Sequence, residues 1–160
     1  MNRALALVLL ALAPSALAAP VTQYAVLKAA KVQTGLMTMT LDYIEVFYDS
    51  PEDAARAVEL GYYPNARAFQ AALPPSGVLA RNVNPQLRTL KTDARTVFEL
   101  ACPEKPGAES SDIVPTPVSL TRFVSSWKGN PAACWPFAGG VVRLRLDGAR
   151  VLKVSQVYFP

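Results

Sequence analysis

Histidine is absent from all 160 residues. Its absence removes the usual general base, the commonest metal ligand and any triad built on imidazole. Cysteine is scarce, with only Cys102 and Cys134 in the whole chain. Without histidine, two thiols cannot complete an ordinary tetrahedral zinc site, and neither lies in a Cys-x-x-Cys pair that would suggest redox chemistry. Also missing are a glycine-rich phosphate loop, a Gly-x-Ser-x-Gly elbow and a calcium loop. Nor do basic and aromatic residues interleave as they do on surfaces that stack against single-stranded nucleic acid. No metal, no cofactor and no nucleic-acid partner is therefore expected, no residue stands out as catalytic, and no internal repeat is visible.

What is present begins with the pattern of an export signal. Arg3 precedes an uncharged apolar run from Ala4 to Ala13, Pro14 breaks it, and Ala16-Leu17-Ala18 supplies the small residues that signal peptidase needs. Residues 1–18 thus read as a secretory signal peptide, with cleavage before Ala19 or Pro20. The run is shorter than the roughly 20 apolar residues of a membrane-spanning helix, so no transmembrane segment is expected after cleavage. No cysteine follows the small residues, which argues against a lipid anchor. Residues 19–160 then form one exported domain, periplasmic or extracellular. The alanine-rich leader and the preference for arginine over lysine point to a bacterium. In an oxidising compartment the simplest fate of Cys102 and Cys134 is a disulfide.

The net charge is +4, but its distribution says more than its value. Asp42, Glu45, Asp49, Glu52, Asp53 and Glu59 crowd one stretch, relieved only by Arg56, whereas residues 61–160 carry twice as many bases as acids. An electrically lopsided molecule follows.

Along the chain, Met37, Leu41, Ile44 and Tyr48 recur at helical spacing with Asp42, Glu45 and Asp49 on the other side, which predicts an amphipathic helix. The alternation from Thr38 to Tyr43 is the competing strand signal. Ser50, Pro51, Glu52 and Asp53 are a strong helix start, and Gly61 a stop. A short third helix is expected from near Pro64 to Leu73, ended by Pro74-Pro75. Beyond residue 85, Leu87–Lys91 and Arg95–Cys102 read as a hairpin about Thr92-Asp93-Ala94, and the stretch near 103–117 as a proline-rich loop. Val118–Lys128 fits a helical template at Leu120, Phe123, Val124 and Trp127, yet its β-branched residues and proline-bounded setting favour a strand. Val141–Leu146 and Ala149–Phe159 flank Asp147-Gly148, a hairpin signal. An odd-numbered loop with left-handed Gly148 puts Val142, Leu144, Leu152 and Val154 on one face and Arg143, Arg145 and Lys153 on the other. The expected fold class is α+β: N-terminal helices followed by a curved antiparallel sheet ending in a C-terminal hairpin.

The segment Tyr43-Ile44-Glu45-Val46-Phe47-Tyr48-Asp49-Ser50-Pro51-Glu52-Asp53-Ala54-Ala55, followed by strands ending in a Leu-Asp-Gly hairpin, resembles the nuclear transport factor 2 and ketosteroid isomerase superfamily. The resemblance covers most of residues 22–159 and implies a sheet wrapped on a long helix around an apolar pocket. It carries over no catalytic residue.

Two candidate surfaces emerge. Arg143, Arg145 and Lys153 form a stripe that could hold an anion, and Tyr62, Tyr63, Phe69, Trp127 and Trp135 could line an apolar pocket. The leading functional expectation is a non-enzymatic binding or envelope-associated module for an apolar small molecule or a protein partner. The rival is a cofactor-free isomerase or hydrolase, using a buried carboxylate with Tyr43, Tyr62 or Tyr63 as hydrogen-bond donor. A secreted structural or adhesion protein is a third reading.

Overall fold

The two apolar stretches that follow Pro20 are strands. In a computed structural model that describes residues 19–104, 113–137 and 139–159, Val21–Gln33 (β1) and Leu36–Tyr48 (β2) form a long antiparallel hairpin. Thr34 and Gly35 make its two-residue turn, both with positive φ, 48° and 76°, as the right-handed twist of a hairpin requires. Met37, Met39 and Leu41 are fully buried at a spacing of two. The helix expected over residues 37–48 is thus corrected to a strand. Ile44 and Val46 belong to one cluster and Phe47 to another, so this half of β2 is buried on both faces and satisfies a helical template by accident.

Punctuation signals fare better. Pro51–Glu59 (α1) starts on Ser50, whose Oγ accepts from the Asp53 N–H at 3.1 Å. Ala66–Ala72 (α2) starts on Asn65, which accepts from the Ala68 N–H at 2.9 Å. Together they cover Phe47, with Ala54, Ala57 and Phe69 buried beneath them. Val78–Arg81 (β3) then pairs with the end of β2.

The hairpin expected about Thr92-Asp93-Ala94 is one continuous strand, Leu87–Pro103 (β4). Its turn-forming residues make an irregularity instead: Thr96 Oγ1 accepts from the Asp93 N–H and Asp93 Oδ1 from the Arg95 N–H, at 3.0 and 2.7 Å. Before this bend β4 pairs with β2, and after it with the C-terminal strand, in parallel. Ile113–Val118 (β5) pairs along the end of β4, so part of the expected 103–117 loop is strand. The expected signal peptide, residues 1–18, and residues 105–112 of the expected loop lie outside the described residues. Val118–Lys128, expected as a strand, contains the helix Leu120–Trp127 (α3), capped by Ser119. Here the 3.6-residue period outweighs β-propensity: Leu120, Phe123, Val124 and Trp127 all pack on the main core.

Val141–Asp147 (β6) and Arg150–Gln156 (β7) form the C-terminal hairpin. Asp147 faces Arg150 across a two-residue turn, and a register shift opposite Arg145 and Leu146 absorbs one residue of β7. Val151, rather than Leu152, therefore enters the core, while Val142, Leu144 and Val154 do so as expected.

The pairings β1–β2, β2–β4, β4–β7, β7–β6 and β6–β1 close a ring. The expected order of helices first and an open curved sheet afterwards is thereby overturned: the fold is mostly β, a closed five-stranded barrel with, among the described residues, three short helices. Its order, counted over barrel strands alone, is 1-2-3-5-4, closing on 1, a Greek-key closure of the OB kind. Met37, Met39, Leu41, Leu100, Leu144 and Val154 fill the interior, and Phe123 of α3 packs into the same cluster.

Candidate anion-binding groove

The outer face of β1, β6 and β7 carries the polar half of each strand's alternation. Register places Thr22 opposite Arg145 and Arg145 opposite Lys153, then Tyr24 opposite Arg143 and Arg143 opposite Ser155. Neighbouring positions across strands lie about 4.8 Å apart, and the two rows about 6.8 Å apart. These six side chains, with Pro20 and Leu144, line an open groove of about 350 Å³. Arg143, Arg145 and Lys153, expected on one face from sequence, are brought together there.

The three cations are not equivalent. Lys153 Nζ donates to Glu99 Oε1 at 2.6 Å, and Ser155 Oγ donates to Glu99 Oε2 at 2.7 Å. Glu99 is buried on β4, where burial pushes its carboxyl pKa up; the hydrogen bonds from Lys153 and Ser155, with the Lys153 and Arg143 charges, outweigh that and hold it below the ordinary glutamate range. Lys153 is thus neutralised in place. Arg143 and Arg145 are exposed, and among the described residues neither has a carboxylate within 4.0 Å. They are the surplus charge of the groove.

Neutral donors sit at one end. The Tyr24 and Tyr48 hydroxyls lie 3.4 Å apart. Burial first, and then the hydrogen bond with Tyr24, raises the Tyr48 pKa far above its usual value, against a small lowering by Arg143. Of the two, Tyr24 lines the groove, which with Thr22 thus presents hydroxyl as well as guanidinium groups to whatever enters it. Guanidinium forks match carboxylate, phosphate and sulfate oxygens in pairs. As acid–base machinery the same groups are poor. Glu99 hydrogen-bonds a serine, but a carboxylate with a lowered pKa is a weak base toward a hydroxyl.

The other expected pocket does not assemble, because its aromatics fall in three places. Tyr62, Tyr63 and Phe69 pack with Phe47 beneath α1 and α2, with Arg81 lying 4.3 Å over the Tyr62 ring. Trp127 lies on the barrel core, and Trp135 stacks on Tyr158. The acids once grouped on a helix face are also separated. Asp42 is buried, its Oδ2 accepting from Asn82 Nδ2 at 2.7 Å and its Oδ1 without a partner among the described residues. Glu45 accepts from the Tyr62 hydroxyl at 3.1 Å, the nearest approach to the acid–tyrosine pair the enzymatic reading needs. Glu45 borders two open clefts, and Tyr62 lines neither of them. Asp49 lies beyond the end of β2.

Glu99, Ser155, Tyr24 and Thr22 were not expected from sequence. Glu99 had one legible signal: a lone acid inside the apolar run Val97-Phe98-Glu99-Leu100-Ala101 must find a cation if it is buried.

The disulfide expected between Cys102 and Cys134 is present and ties the end of β4 to the segment after α3. It is compatible with an oxidising, exported location. Among the described residues no helix is long and apolar enough to cross a membrane. No family model, no curated protein and no solved structure matches the chain.

Proposed function

We propose that this protein is an exported binding module whose barrel presents the Arg143–Arg145 groove to a ligand bearing phosphate, sulfate or carboxylate oxygens. One observation carries the reading: two exposed guanidiniums without carboxylate partners among the described residues share an open groove with hydroxyl donors. An apolar small molecule has less support. The barrel interior is filled by its own side chains, and the aromatics proposed to line a pocket are dispersed. The leader sequence and the disulfide support the exported setting. Fold alone decides little, since barrels of this kind host many ligands.

The test is a titration of the mature protein with inorganic phosphate, followed by amide chemical shifts at low and physiological salt. Shifts confined to Thr22, Tyr24, Arg143, Arg145 and Ser155 are expected. Arg143→Gln or Arg145→Gln should each weaken binding about tenfold, the worth of a charge-assisted hydrogen bond of roughly 1.5 kcal/mol. Saturable binding that survives the double substitution, or none at low salt, overturns the proposal.

A further inference from the structure

The basic groove does not end at β1. Thr22 and Tyr24 also form one wall of a second cleft, of about 470 Å³, whose far side includes Glu45 and Val46 on β2 and Glu59 and Leu60 at the end of α1. The opening follows from the register. β1 and β2 pair only from Tyr24 opposite Ile44 onward, so at Thr22 the first strand has β6 as its partner on one side alone. Helix α1 stands where β2 has turned away. The Thr22–Tyr24 stretch is thus a low ridge between two hollows, and one ligand can lie across both.

The hollows have opposite sign. In the second, Arg56 is already engaged: its Nη2 donates to the Val46 carbonyl at 2.6 Å and lies 3.3 Å from Asp53. Among the described residues, Glu45 and Glu59 have no lysine or arginine within 4.0 Å, and Glu59 is exposed. Two uncompensated anions therefore face one hollow and two uncompensated cations the other. Among the described residues no ion pair bridges them across the ridge.

Resting on the anion-binding reading above, we infer that the natural occupant is an extended polypeptide segment. Its acidic residues lie over Arg143 and Arg145 and its basic residues over Glu45 and Glu59. The dimensions suit this. From β6 across β1 to β2 is two strand spacings, about 10 Å, which an extended chain covers in about three residues. Tyr24 on the ridge and Leu60, 46% exposed at the rim, offer apolar contact to the residues between. A simple anion uses half of the trough; a segment with both charges satisfies all four surplus groups.

The probe is a terminally blocked hexapeptide, Glu-Glu-Leu-Leu-Lys-Lys, compared with the same peptide carrying glutamine in place of both lysines. Against the mature protein the bipolar peptide should bind at least tenfold more tightly at low salt. Glu59→Gln, alone and with Glu45→Gln, should erase that preference while leaving phosphate binding unchanged. Equal affinity for the two peptides, or a preference that survives the Glu59→Gln and Glu45→Gln changes, overturns the inference and leaves the anion groove standing. Failure of the wild-type protein to bind phosphate overturns the underlying reading instead.

Discussion

Replacing Glu99 separates stability from ligand affinity. Its carboxylate holds Lys153 at 2.6 Å and Ser155 at 2.7 Å, and Ser155 is 2% exposed. In Glu99→Gln the amide oxygen can still accept from the serine, and the Lys153 side chain, 37% exposed, can turn to water. The expected cost is therefore about 1–2 kcal/mol rather than the 3–5 of a fully buried broken pair. Glu99→Ala, which leaves the buried Ser155 hydroxyl without its acceptor, should cost more. The pH dependence has a definite sign. Because the folded pKa lies below the unfolded value, about 4.3, the contribution is complete above that pH and is lost as pH falls through the folded pKa. Glu99→Gln should lack this part of the acid destabilisation. Affinity moves the other way. A carboxylate roughly 8 Å from a bound anion, at an effective dielectric near 40, repels it by about 1 kcal/mol. Its removal should tighten phosphate binding about fivefold at low salt. Urea denaturation between pH 3 and 7, alongside phosphate titration, measures both effects. A variant as stable as the wild type, or one that binds phosphate more weakly, refutes the reasoning.

Two further outcomes test the frame that holds the groove. Phe123→Ala removes a fully buried ring that lies 5.2 Å from Phe98 and 5.4 Å from Phe137; a loss of about 3–5 kcal/mol is expected in equilibrium unfolding, and one below 1 kcal/mol would mean that α3 does not close the core. Replacing Cys102 and Cys134 together by serine opens a link of sequence separation 32 and should cost about 3–4 kcal/mol in thermal or urea unfolding. Phosphate affinity should stay unchanged, since neither cysteine lines the groove.

What could be read from sequence was local. Ser50 and Pro51 mark the start of α1 because a cap needs only residues within one turn, and Pro74-Pro75 bounds α2 for the same reason. Period reading failed where burial was two-sided. Met37, Leu41 and Ile44 lie at helical spacing and are all buried, but the first two face the barrel interior and Ile44 the outer cluster. In Val118–Lys128 the reverse error occurred: β-branched residues suggested a strand although the apolar positions kept a 3.6-residue period. Asp93 and its neighbours carry real turn chemistry, spent on a bend within β4. The parallel partner that keeps the strand running, β7, lies more than fifty residues away in sequence. No local pattern encodes that closure.

The groove divides along the same line. Arg143 and Arg145 were legible because Val142, Leu144 and Leu146 alternate with them, and a strand with one buried face must send the other outward. Their surplus charge was not legible, since it depends on which acid reaches which base. Glu99 comes from β4, through a parallel pairing, and takes Lys153 out of the stripe. Glu45 and Glu59 come from a region whose acidity was plain in the sequence, yet their place beside the basic groove follows from β1 losing β2 as a partner at Thr22. Charge composition thus predicted an electrically lopsided chain, whereas the barrel's closure folds the two halves of that asymmetry against a single ridge.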